Sequence, residues 1–179
     1  MNNNQNQECC PEFRVEKWDK QTLSWDNKKF IKDTIPEFFH IPFPPMIGKK
    51  ITRMWTAVAQ AGADAPNKGD TLILFRDPTP FRGEIYIAVE KDVPAENNVV
   101  ISGEFVSRVF DGGYNAIPKF VKVMDEYLAE TGKKAKDYYI HYAYCPKCAK
   151  KFGHNYIVLL PKFKIVLPSQ HQKMTSFSN

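Results

Sequence analysis

Residues 83–89 read GEIYIAV, and residues 153–159 read GHNYIVL. At an offset of 70, Gly83, Tyr86 and Ile87 fall on Gly153, Tyr156 and Ile157. The same gapless offset sets GKKITRMWTAVAQAG (48–62) against PKFVKVMDEYLAETG (118–132). Lys49 meets Lys119, Met54 meets Met124, Ala59 meets Ala129 and Gly62 meets Gly132. A period this long, present twice, is a duplicated module and not a solenoid.

Working outward, each upstream segment has helical periodicity. Ile117, Phe120, Val121, Met124 and Leu128 form one apolar stripe, and Ile47, Ile51, Met54, Trp55 and Val58 form its match. Asn115 is a candidate N-cap, Pro118 fits a first turn, and Gly62 and Gly132 are stop signals. Helices are therefore expected near 46–62 and 115–131. Each is followed by two strand candidates, 71–76 and 84–91, then 138–144 and 155–160. A long strand over 99–110, with a possible bulge site at Gly103, precedes the second helix. EFRVEKW (12–18) is the counterpart expected before the first, because it resembles EFVSRVF (104–110). That leaves an aromatic and proline-rich insertion at 19–45.

The expected fold is thus α+β. Two pseudo-symmetric strand–helix–strand–strand modules, 11–92 and 98–165, form an antiparallel sheet with two helices on one face and a ligand cleft on the other. Residues 1–10 read as a lead-in and 166–179 as a tail.

Composition bounds the function. The 179 residues are 43% hydrophobic and 25% charged, ordinary for one globular domain. No stretch approaches the roughly 18 apolar residues of a membrane span, and the first ten residues lack the features of a secretion signal. The expectation is a cytoplasmic protein with no membrane partner. The net charge of +5 is dispersed over pairs such as Lys49–Lys50 and Lys133–Lys134, with no nucleic-acid-reading motif, so no nucleic-acid partner is expected. Oligomeric state is not legible.

Strand alternation places Ile85, Ile87 and Val89 toward the helices, and Glu84, Tyr86, Ala88 and Glu90 on the opposite face. The repeat adds His154, Tyr156, Val158 and Leu160 to that second face, with Tyr142 and Tyr144 beside them. Such a face is either solvated sheet or the aromatic wall of a pocket. With the aromatic insertion as cover, the pocket is expected. Glu84, Glu90 and His154 are its candidate catalytic groups; Tyr86, Tyr142, Tyr144, Tyr156 and Trp55 its candidate ligand-binding residues. A carboxylate there is expected to have its pKa raised by lost solvation.

CPKCAKKFGHN (145–155) admits three readings. Cys145 and Cys148 could be a redox pair. With His154, and His141 or Cys9 as a fourth ligand, they could hold zinc. They could also be two packed thiols in a turn. The last is the expectation: no metal and no cofactor, with Cys145, Cys148 and His154 as the weaker metal alternative.

The stretches ISGEFVSRVFDGGYNAIPKF (101–120) and YYIHYAYCPKCAKKFGHNYIVLL (138–160) resemble a family of bacterial proteins described as hydrolases. That family is similar to the GyrI-like (gyrase-inhibitor-like) small-molecule-binding domains. IPFPPMIGKK (41–50) and GEIYIAV carry the resemblance into the first half. It implies two strand–helix–strand–strand modules with ligands bound in the cleft between them. Some members bind amphipathic or cationic drugs; others are hydrolases using a glutamate and a tyrosine. The second module departs from the sensor-type pattern in lacking a glutamate in its last two strands. Two functions follow: a cofactor-independent hydrolase of a small apolar or electrophilic compound, or a non-enzymatic module that senses or sequesters a hydrophobic or cationic ligand. No G-x-S-x-G elbow supports a serine mechanism.

Overall fold

A computed structural model describes residues 10–67 and 71–165. Residues 1–9, Cys9 included, and 166–179 lie outside the described residues, and with them most of the expected lead-in and the whole tail. The elements are mixed. Strand β1 (Gln21–Phe38) and the short β2 (Ile41–Pro42) lead into helix α1 (Pro44–Ala61), then β3 (Ile73–Thr79) and β4 (Arg82–Ala88). Strand β5 (Asn98–Asp111) leads into α2 (Ile117–Glu130), then β6 (Lys133–Tyr142), α3 (Pro146–Phe152) and β7 (Tyr156–Ile165).

The two helices form where the stripes predict. Each has Pro in its first turn, and Gly62, in the left-handed region at φ 56°, closes α1. Met54 and Val58 are the buried residues of α1 that match Met124 and Leu128 of α2, all at most 1% exposed. The helix stripes that the offset matches are thus buried alike. The strand expected over 12–18 is absent: residues 15–17 form a single 3-10 turn, and β1 takes the position that corresponds to β5. The supposed insertion is mostly that strand. Its alternating residues Phe30 and Ile31 face opposite sides, as a strand requires.

The sheet differs from expectation in a way that matters for function. Its order is β2-β1-β4-β3-β6-β7-β5, all antiparallel, and β5 pairs back onto β1. Six strands thus close into a barrel, and the sheet is not open. The length of β1 and β5 makes closure possible. The first half of β1 pairs with β5, and its second half with β4. A bulge between Trp25 and Lys28, facing Gly103 (φ 143°), bends the ladder, and closure needs such a bend. Opposite this long ladder, β3 and β6 share a single bridge, Phe75↔Ile140.

Three apolar clusters follow. Outside the barrel, α1 packs on Ile31, Ile35, Ile85, Ile87 and Val89, and α2 packs on Val106, Ile157 and Leu159. Inside lie Phe30, Leu74, Tyr86, Phe105, Tyr139, Val158 and Leu160. The face expected to be a cleft is therefore a filled interior. Trp25 and Phe105 rings stand 4.3 Å apart, and Tyr139 meets both Tyr86 (5.7 Å) and Phe105 (6.0 Å) edge-on. The aromatic insertion does not cover this face. Phe38, Phe39 and Phe43 at its tip are each more than 60% exposed.

Replacing Phe105, fully buried in the interior, with Ala should cost about 3–5 kcal/mol in urea unfolding. The same change at Phe39, 62% exposed, should stay within about 0.5 kcal/mol. Equal losses would mean that the interior is not the core.

Candidate functional site

The sequence-predicted residues fall into separate places. Glu84 and Tyr86 lie together inside the barrel. Glu84 is 2% exposed, accepts a hydrogen bond from Tyr86 Oη (2.6 Å), and is ion-paired to Lys32 (2.7 Å) and Arg76 (3.0 Å). Arg76 in turn reaches Asp137 at 2.5 Å. Burial alone would raise the Glu84 pKa; hydrogen bonds from Lys32, Tyr86 and Arg76 outweigh it and hold it down at about 2. The expected rise is thus reversed. A carboxylate so neutralised is a poor proton acceptor, and it ties one end of the barrel together.

Tyr144 and Tyr156 lie at another end, against the N-terminal segment. Phe13 packs on Tyr156 (5.5 Å) and Tyr144 (6.5 Å), and its backbone N–H donates to Tyr144 Oη at 2.9 Å. Trp18 stacks on His141. His154 is half exposed outside, pairs through Nδ1 with Asp111 (2.7 Å), and stacks on Tyr156 at 4.8 Å. These residues have partners within the chain and do not line an open cleft with Glu84. Glu90 is exposed beyond the end of β4.

Trp55 and Tyr142 sit on the outer, helix-bearing face, because Tyr142 has the parity of Ile140 and not of Tyr139. Trp55 shares the α1 cluster with Phe75, and the Phe75 ring meets Tyr142 at 5.0 Å. Tyr114 meets Tyr142 at 5.1 Å from the other side.

This outer face holds a constellation that sequence reading missed. A groove of about 1110 Å³ runs between α2 and β6, lined by Ile117, Val121, Ala129, Tyr138 and Ile140, with Asp77, Asp125 and Asp137 as its carboxylates and Lys133, Lys134 and Lys136 beside them. At Asp77 it meets Glu37 and His40. The turn between β1 and β2 puts Phe39 and His40 both at positive φ, which aims the His40 Nδ1 at Asp77, 2.6 Å away. Glu37 reaches Asp77 by lying over Gly83; a Cβ there would stand 2.1 Å from Glu37 Oε1. Burial, repulsion from Asp77 and a shared hydrogen bond push the Glu37 carboxyl up to about 7. Its Oε2 is buried with no hydrogen-bond partner among the described residues. Burial, with Tyr114, Glu37 and Asp77 nearby, pushes the Tyr142 phenol up, so it stays protonated at neutral pH. The missed signal was the alternation Ile31, Asp33, Ile35, Glu37, hidden when this stretch is read as an insertion.

Glu84→Gln should lower stability at pH 7 by about 1–3 kcal/mol. It takes the counter-charge from Lys32 and one of two from Arg76, which keeps Asp137; both cations are about a quarter exposed, which tempers the roughly 3–5 kcal/mol of a fully buried pair. The folded pKa lies below the ordinary 4.5, so the contribution is present above about pH 4.5 and fades as pH falls toward 2. Acid unfolding should therefore be less steep in the variant. An unchanged acid transition would dismiss this ion network as a stabilising element.

Comparison with known proteins gives the same architecture. The EcmrR C-terminal domain superposes with a TM-score of 0.60 at 13% identity, covering 83% of this chain and 99% of that one. A hydrolase from Listeria innocua gives 0.56 at 10% identity, covering 82% and 92%. An EcmrR–DNA complex gives 0.61 at 10%, covering 83% of this chain and 58% of that one. The expectation of no nucleic-acid partner is thereby corrected: this fold occurs in a protein captured on DNA. Dispersed lysines on one domain carry no information about that. No helix among the described residues is long and apolar enough to cross a membrane. No curated protein matches the chain. The model of the family described as "Bacterial hydrolase" matches residues 1–163, and the chain belongs to that family.

Proposed function

We propose that the protein is a small-molecule-binding domain with cofactor-independent hydrolase activity toward a small, mostly apolar electrophile, and that the outer groove is its site. The observation that carries the reading is Glu37: a buried carboxylate oxygen without a hydrogen-bond partner among the described residues, on a group whose pKa is pushed up to about 7, beside a protonated tyrosine. That is the requirement for a general base at neutral pH. The groove holds the apolar part of the substrate against Ile117, Val121 and Ile140. Glu37 takes a proton from a water as that water attacks the electrophilic carbon. Tyr142 gives its proton to the heteroatom that accumulates charge, and recovers one from Glu37 or solvent. Asp77 keeps the Glu37 pKa high, and His40 holds Asp77 in place. Trp55 and Phe75 back the aromatic wall. Glu84, Glu90 and His154 are left out of the chemistry.

The second reading, a sensor or sequestration module, is favoured by one observation. Asp77, Asp125 and Asp137 line the groove together with Lys133, Lys134 and Lys136, so its apolar residues, and not a net negative charge, would hold a hydrophobic ligand.

Turnover should be measured on a panel of small aryl esters, with binding of an aromatic cation followed in parallel. The rate should rise with pH through about 7, as Glu37 loses its proton. Glu37→Gln should lower it at least about 100-fold. The variant should not be less stable: a carboxylate with a raised pKa costs stability as pH climbs from about 4.5 to 7, so its amide should raise Tm by a few degrees at pH 8. Cation binding with no turnover in the wild type would select the sensor reading. Turnover unaffected by Glu37→Gln would remove the groove from the chemistry.

A further inference from the structure

The chain brings three cysteines from distant positions to one place. The Sγ atoms of Cys10, Cys145 and Cys148 all lie within 4.8 Å of one another. Cys10 belongs to the segment that carries Phe13 and Trp18 onto the barrel; Cys145 and Cys148 flank the first turn of α3. Cys145 is extended (φ −70°, ψ 162°) and Pro146 starts the helix, so a three-residue spacing turns both sulfurs toward the same side. The Cys145 backbone N–H donates to Cys10 Sγ at 3.3 Å, a contact suited to a sulfur bearing negative charge. Cys148 is buried while Cys10 and Cys145 are partly exposed, so the cluster opens toward solvent on one side. Lys147, Lys150 and Lys151 ride on the same seven-residue helix.

We propose that Cys10, Cys145 and Cys148 form a thiolate site for a soft divalent cation of the Zn²⁺ class, which fastens the N-terminal segment to the β6–α3 connection. Bonds of about 2.3 Å in a tetrahedral site set sulfurs roughly 3.8 Å apart, a contraction of about 1 Å or less from the cluster as it stands. Three thiols exchange their protons for the metal, so one cation binds, three protons leave, and the site carries a charge of −1. The α3 lysines offset that charge. The fourth position faces the open side and takes water or another donor. His154, an attractive ligand by sequence, is not part of this set: its Nδ1 is engaged with Asp111. The donor set is all sulfur, which selects zinc-like cations over magnesium or calcium.

The metal is a clasp and not a reaction centre. The segment it holds places Phe13 over Tyr144 and Tyr156 and Trp18 over His141, at residues distinct from those of the outer groove.

The test uses the full chain, reduced and stripped of metal by chelation. Titration with Co²⁺ should produce a thiolate charge-transfer band that saturates at one equivalent and disappears when Zn²⁺ is added. Cys148→Ser should weaken Co²⁺ binding at least about 100-fold, since changes one shell further out already cost about 10–100-fold. In the wild type, Zn²⁺ should shield three of the four cysteines from alkylation, a measurement that does not depend on a variant folding. Zn²⁺ should also slow trypsin cleavage at Arg14 and Lys17, both exposed, at least about tenfold, and Cys10→Ser should remove that protection. No charge-transfer band, a band untouched by Cys10→Ser, or a Cys145–Cys148 disulfide in freshly purified protein would each overturn the proposal.

Discussion

Nine residue pairs between β1 and β5, from Gln21↔Ser107 to Ile31↔Asn98, turn what would be an open sheet into a closed one. Most of the remaining structure answers to that ladder. Closure converts one face of every strand into an interior too narrow for anything but side chains, and aromatic rings fill it. Closure also forces any polar group on that face to find a partner inside the chain. Ser107 shows this on a small scale: fully buried, its hydroxyl donates to the Trp18 carbonyl at 2.5 Å. With the interior occupied, the open space lies on the outer surface, where two helices rise from the strands and leave a valley between α2 and β6.

Two carboxylates on the same sheet show how strongly this geometry decides chemistry. Glu84 points inward, gathers two cations and a phenol, and becomes a permanent anion. Glu37 points outward, lies over a glycine, and meets a second carboxylate instead of a cation. Glu84 is almost wholly removed from water, and Glu37 in part, through its buried Oε2. The sign of the nearest charge separates an inert ion-pair member from a group poised between protonation states near neutrality. Gly83 matters for the second because any side chain there would occupy the space Glu37 Oε1 uses.

The legible part of the fold was local. Helices α1 and α2 could be read from their stripes, and the inward–outward parity of β4 and β7 from alternation, because each depends on residues a few positions apart. Closure could not be read. It rests on pairing between strands some 75 residues apart, and nothing in the Thr22–Phe30 stretch states which edge it will meet. Misreading 19–45 as an insertion followed from its prolines and its exposed tip, Phe38 to Phe43, which do not look like half of a long strand. That one error hid Glu37 and His40. The repeat pairs Tyr142 with Leu72 and so predicts it on the inner face, but β6 has the other parity, with Tyr139 inward and Ile140 and Tyr142 outward. The cysteine cluster was half visible: CPKC announces itself, while Cys10 is joined to it only by tertiary packing.

The N-terminal segment carries a consequence for how the molecule is made. A ribosome delivers Phe13 well before its partner: the hydroxyl that receives its N–H belongs to Tyr144, 131 positions later. Strand β1 likewise waits for β5, and in the interval only its second half has a partner, in β4. A growing chain therefore exposes an unpaired β1 edge bearing Leu23 and Trp25 until residues 98–107 emerge, which is the period of greatest exposure to aggregation. Folding dominated by such distant pairings is slow. The segment around Phe13 has its docking surface only once residues 144 and 156 have emerged.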